Sequence, residues 1–164
     1  MTRFRKLTAV IAVLAALAPM APITLRAQSG VSVTAAARAV YPPATTFNGV
    51  RLDGLRFGTG VTIATTGFAE GQFQATLLGT SLLGLSQNIQ VEGKAVNGSS
   101  VAPAAATFSG TCTLDMGDGT VPLAGVPFTV AIATNADDKG TLTLSLATTN
   151  LPAAQVNVGS MKIK

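Results

Sequence analysis

Seven carboxylates, one thiol and no histidine are the groups from which this chain of 164 residues can build chemistry. Without histidine, Ser-His-Asp and Cys-His relays and imidazole-ligated metal sites are excluded, and a single cysteine excludes thiolate zinc clusters. Neither a phosphate-cradling Gly-Lys-Ser/Thr loop nor a dinucleotide fingerprint follows any strand-like segment. Paired carboxylates remain, and Glu70 with Glu92 is the pair to weigh for glycoside hydrolysis. If Leu77 faces Ile89 across a hairpin, Glu92 lies opposite Gln74, four residues from Glu70, which is about 13 Å along a strand. Hydrolysis by two carboxylates needs roughly 5 to 9.5 Å, so the pair reads as non-catalytic.

The same register yields a different candidate. Ala69, Gly71, Phe73, Ala75 and Leu77 alternate with polar residues, as do Ile89, Val91, Gly93 and Ala95. Pairing the two runs gathers Glu70, Gln72, Gln74, Gln90, Glu92 and Lys94 on one surface, the densest polar cluster in the chain and the candidate ligand-binding face. Asp115, Asp118, Asp137 and Asp138 fit no EF-hand spacing, and Asp118-Gly119 and Asp137-Asp138 are explained as turns. Cys112 falls among Phe108, Gly110, Leu114 and Met116 in alternation, on the apolar face of a strand, where it is read as a buried small hydrophobe rather than a reactive thiol. No metal and no cofactor is expected.

Positioning that face is the work of strands. Two-residue alternation recurs from residue 50 onward, with Thr, Val, Ile and Phe enriched and Gly, Asn and Asp at the breaks. Strands are expected near residues 31–37, 50–57, 60–66, 68–78, 87–96, 105–116, 127–134, 140–148 and 155–163. Residues 34–40 are helix-like in composition, but Pro42 and Pro43 follow at once, and a first strand or short arm is preferred. Asn48-Gly49, Asn97-Gly98 and Asp118-Gly119 are read as turns, and Pro122 and Pro127 as an irregular or edge segment. In a later hairpin, Phe128, Val130 and Ile132 face Leu146, Leu144 and Leu142 around a loop at 135–139. The leucine-rich connection 78–86 either lets its strands run on to a tighter turn or folds back as a lid, unless it is an exposed tip that touches a partner or lipid. The fold class is therefore all-β, an antiparallel sandwich or small closed barrel of about eight or nine strands, preceded by a signal-peptide helix. A transmembrane barrel is disfavoured, because one tyrosine, no tryptophan and few phenylalanines cannot make aromatic girdles.

The net charge of +4 resides in the leader. Arg3, Arg5, Lys6 and Arg26 precede residue 28 with no acid among them, which leaves residues 28–164 formally neutral with scattered bases. Phosphate-backbone binding needs a basic footprint, so a nucleic-acid partner is not expected. A basic start, the apolar run Leu7 to Ala18 and a small-residue exit form a secretory signal over residues 1–27. The run is too short for a span of about 20 residues, so cleavage is expected and no stable membrane span remains. Residues 28–164 then form one β-rich domain, secreted or periplasmic. Lacking a catalytic constellation, it is expected to be a non-enzymatic surface binding or structural module with a protein or small-molecule partner. The alternative is a soluble barrel carrying a small apolar or amphipathic ligand, with the six-residue face turned inward. Cleavage after Ala27 predicts that N-terminal sequencing of the exported protein begins at Gln28; a chain that retains Arg3 to Lys6 refutes the leader.

Overall fold

In the computed structural model residues 30–164 are described, and the leader with its signal helix and cleavage point lies outside them. Ten strands follow in chain order: β1 (Gly30–Val40), β2 (Thr46–Phe47), β3 (Val50–Ala64), β4 (Phe68–Thr80), β5 (Ser86–Val101), β6 (Ala105–Asp115), β7 (Leu123–Thr134), β8 (Gly140–Leu146), β9 (Thr149–Asn150) and β10 (Ala154–Ile163). They make one antiparallel sheet ordered β1-β10-β8-β7-β6-β5-β4-β3-β2, in which β1 also pairs with β3. That additional ladder runs from Gly30↔Ala64 to Val40↔Gly54 and closes a ring of eight strands. The short strands β2 and β9 lie off it, against β3 and β8.

Alternation sends every second side chain into the ring. Val33, Leu55, Phe57, Val61, Phe73, Leu77, Ile89, Val91, Phe108, Val130, Ile132, Leu142, Leu144 and Met161 are all buried in one continuous core. Its centre is three phenylalanines from three strands: Phe73 stacks on Phe128 at 5.8 Å between ring centroids, and Phe108 meets both edge-on at 6.1 and 6.4 Å. Burial of each such side chain is worth about 1.5–3 kcal/mol. Gly93 makes this packing possible, because a Cβ there would sit 2.6 Å from Phe128 Cε1.

Both hairpins registered from sequence form with the expected partners, Gln74↔Glu92 and Leu77↔Ile89 in one, Phe128↔Leu146 and Ile132↔Leu142 in the other. Residues 34–40 are strand, and Cys112 is buried. Two expectations need correction. The segments 50–57 and 60–66 are one strand ending at Ala64, since Gly58 and Gly60 adopt extended backbone and carry the ladder through to both neighbours. Glycine within a strand costs about 0.5–1 kcal/mol relative to alanine, and no heavy atom would lie within 4 Å of a Cβ at Gly60. Asn97-Gly98 is likewise no turn; it continues β5 past a register shift between Ala95 and Asn97. Asn48-Gly49 does turn, with φ of 47° and 80°.

The ring's narrowest seam is β8 to β10, where only Leu142↔Ala154 and Thr141↔Gln155 pair. The Met161 N–H donates to the Asp138 carbonyl at 2.7 Å, and Lys162 Nζ reaches the Asp138 carboxylate at 3.1 Å, so the β7–β8 loop continues what the ladder leaves off.

Tyr41, the only tyrosine, buries a hydroxyl that has no hydrogen-bond partner. Burial pushes its ionisation well above the usual value. Leaving such a group unpaired costs about 1–3 kcal/mol, so Tyr41→Phe is expected to raise stability in urea titrations by about 1 kcal/mol. The raised folded-state pKa also means that the wild type keeps its full stability below the unfolded tyrosine value of about 10 and loses it progressively above that pH. Tyr41→Phe should flatten this alkaline limb, and a destabilised variant would contradict the unpaired hydroxyl.

Candidate outer-face binding site

All six residues of the predicted polar face are exposed on the outside of the ring. Their rows extend beyond the hairpin. Gln72↔Lys94 continues to Gly60 on β3 and Thr111 on β6; Gln74↔Glu92 continues to Gly58 and Thr113. The next row runs Arg38, Arg56, Thr76, Gln90, Asp115 across β1, β3, β4, β5 and β6. Glu70 stands apart, opposite Thr62 of β3, because β4 shifts register against β5 between Phe68 and Gly71. The structure thus brings Gln72, Gln74, Gln90, Glu92 and Lys94 together and leaves Glu70 at the margin, too far along the strand for a carboxylate pair with Glu92.

Two shallow depressions adjoin on this face. One, of about 270 Å³, lies among Arg56, Gly58, Gln74, Thr76, Gln90 and Glu92. The other, of about 240 Å³, is lined by Gln72, Gln74, Glu92, Lys94 and Thr113. The amides and the ammonium donate, and the amide oxygens, hydroxyls and Glu92 accept, so the surface is equipped for a polar, hydroxyl-bearing ligand. Arg38 and Arg56 are candidate site residues that the sequence reading did not single out. Arg38 and Arg56 occupy outward positions of directly opposed residues, and among the described residues neither has a carboxylate within salt-bridge distance, the ion pairs being Arg51 with Asp53 and Lys162 with Asp138. Their outward parity was readable within each strand. Their meeting was not, because it depends on the β1–β3 ladder.

Other candidates resolve into structure. Asp118 Oδ1 accepts from the Thr120 hydroxyl at 2.6 Å and its N–H at 3.0 Å, which holds the carboxyl below its usual pKa. Asp115 Oδ1 accepts from the Gly117 N–H, and Asp137 and Asp138 sit on the β7–β8 loop. Burial raises the Cys112 thiol pKa, the opposite of what a nucleophile needs. A larger depression, about 610 Å³, is an open, mostly apolar concavity at one end of the ring between Val31, Ile63, Ala64 and Ala102.

At the opposite end, the 78–86 connection shortens to a five-residue tip as β4 and β5 run on to Thr80 and Ser86. Leu82, Leu83 and Leu85 are 90%, 86% and 66% exposed, held outward by bonds from Ser81 N–H to the Leu85 carbonyl and Gly84 N–H to the Ser81 carbonyl. The tip is no lid. Searches against family models, curated proteins and solved structures return no match to this chain.

Because Leu82 and Leu83 contribute nothing to the core, their joint replacement by serine is expected to shift unfolding free energy by no more than about 0.5 kcal/mol. A urea midpoint that falls markedly would show that the tip packs against the ring.

Proposed function

We propose that the chain is an exported, non-enzymatic binding module, released at Gln28 into the periplasm or the extracellular space, in which the eight-strand ring serves as a small closed barrel. Its working surface is the outer face of β4 and β5 with the flanking rows of β1, β3 and β6. The observation that carries this reading is the direction of the polar cluster: five of the six residues singled out by sequence converge on adjoining depressions on the outside of a ring whose inside is packed with phenylalanine and leucine. A carrier would need an enclosed volume lined by those residues. Here their side chains and the core occupy opposite surfaces of the same strands, so the carrier reading has no support from this geometry.

The test is retention on isolated cell-envelope material. Replacing Gln72, Gln74, Glu92 and Lys94 together by alanine should abolish retention while leaving the far-ultraviolet dichroism and the urea midpoint nearly unchanged, because all four are exposed. A control with Thr129→Ala and Thr143→Ala, on β7 and β8, should be retained like the wild type. Equal retention of all three proteins would sink the proposal.

A further inference from the structure

Arg38 and Arg56 pose an electrostatic problem that the fold alone does not answer. Like charges on directly opposed strand residues repel, with Cβ atoms about 4.5–5.5 Å apart, and among the described residues no carboxylate relieves them. Arg56 lines the larger of the two outer depressions together with Gly58, Gln74, Gln90 and Glu92, and Arg38 stands directly opposite Arg56 on β1, beside that depression. Below them the surface stays low: Ala36 and Thr34 flank Gly58 and Gly60 on β1, and Gln74 and Gln72 flank them on β4. The space over Gly60 is open, and neither its backbone nor its neighbours require glycine there. Glycine in a strand interior marks a bulge, a tight bend in a closing sheet or a close approach of a ligand or another backbone, and β3 keeps its register with β1 and β4 through Gly58 and Gly60, so no bulge accounts for it.

We infer that the outer surface of β3, with the arginine pair at one end of it, binds a strand of acidic polysaccharide, with the two guanidinium groups on a sugar carboxylate and Gln72, Gln74 and Thr34 on the hydroxyls of the residues that follow. The inference rests on the outer-face reading above and names its ligand class. Paired guanidinium groups favour a carboxylate through charge-assisted, bidentate hydrogen bonds. Glu92, two strands across and two residues along from Arg56 and so about 12 Å away, accepts from neutral hydroxyls and repels a second anion, which selects a sparsely charged chain over a dense polyanion such as nucleic acid. A peptide is disfavoured, because β3 and β4 are paired on both sides and offer no free edge for strand addition.

Calorimetric titration of the protein with an oligogalacturonate tests this. Saturable binding is expected that weakens at least tenfold when the carboxylates are methyl-esterified, at least tenfold in R38Q/R56Q, and to a similar extent in Gly60→Leu, which raises a side chain over β3 where a Cβ meets no heavy atom within 4 Å. R38Q alone should raise the thermal midpoint of the free protein, since it removes a repulsion, so loss of binding in the double variant is not loss of fold. Equal binding of the methyl ester, equal binding by R38Q/R56Q, or equal affinity for sulfate alone or for phosphatidylglycerol vesicles would overturn the ligand class. If oligogalacturonate fails while envelope retention still depends on Gln72, Gln74, Glu92 and Lys94, the ligand falls and the surface reading stands; if retention is also independent of them, both fall.

Discussion

Ring closure through β1 is the constraint on which the rest of the molecule depends. A strand with β3 on one side and β10 on the other has no free edge, so the sheet presents no unpaired row of donors and acceptors along β1. Closure also fixes which surface is inside. Because side chains alternate with a period of two, a one-residue slip of any ladder would drive Phe73 or Phe108 into water and bring Gln72 or Thr107 into the core. The polar outer face and the phenylalanine centre are therefore two aspects of one register.

The outside is not uniform, and its division follows the strands. Arg38, Arg51, Asp53, Arg56, Glu70, Glu92 and Lys94 all lie on β1, β3, β4 and β5, whereas the outward positions of β6, β7 and β8 run through Thr107, Ser109, Thr111, Thr129, Thr141, Thr143 and Ser145. Threonine suits a solvated, pleated surface. Charged strand residues are thus concentrated on that half of the ring, where the amide-rich rows and the arginine pair occur, and outside it only Asp115 at the end of β6 and Lys162 on β10 carry charge among the described strands.

How much of this was legible depended on how local the signal was. The β4–β5 and β7–β8 hairpins were read to the residue pair because each strand's alternation and its turn lie within a short stretch of chain. Burial of Cys112 followed from the same alternation. Gly58-Thr59-Gly60 misled because glycine usually interrupts strands, while here β1 and β4 pair on either side of it and override that preference. Asn97-Gly98 misled for a related reason: turn-forming residues also suit the register shift at which β5 changes its alignment with β6. Closure itself and the meeting of Arg38 with Arg56 were out of reach, since they join segments whose intervening chain, with Pro42, Pro43 and the small strand β2, gives no periodic cue to the pairing. The choice between sandwich and barrel failed on the same missing information.

Amide hydrogen exchange along β1 tests closure most directly. With β1 paired on both sides, the amides of Val33 through Ala37 should exchange only in global unfolding, with the same opening free energy as those of β4 around Phe73 and the same dependence on added urea. If they instead exchange as rapidly as the exposed loop around Leu83, β1 is a fraying edge, the ring is open, and neither the filled interior nor the arginine-headed face stands as described.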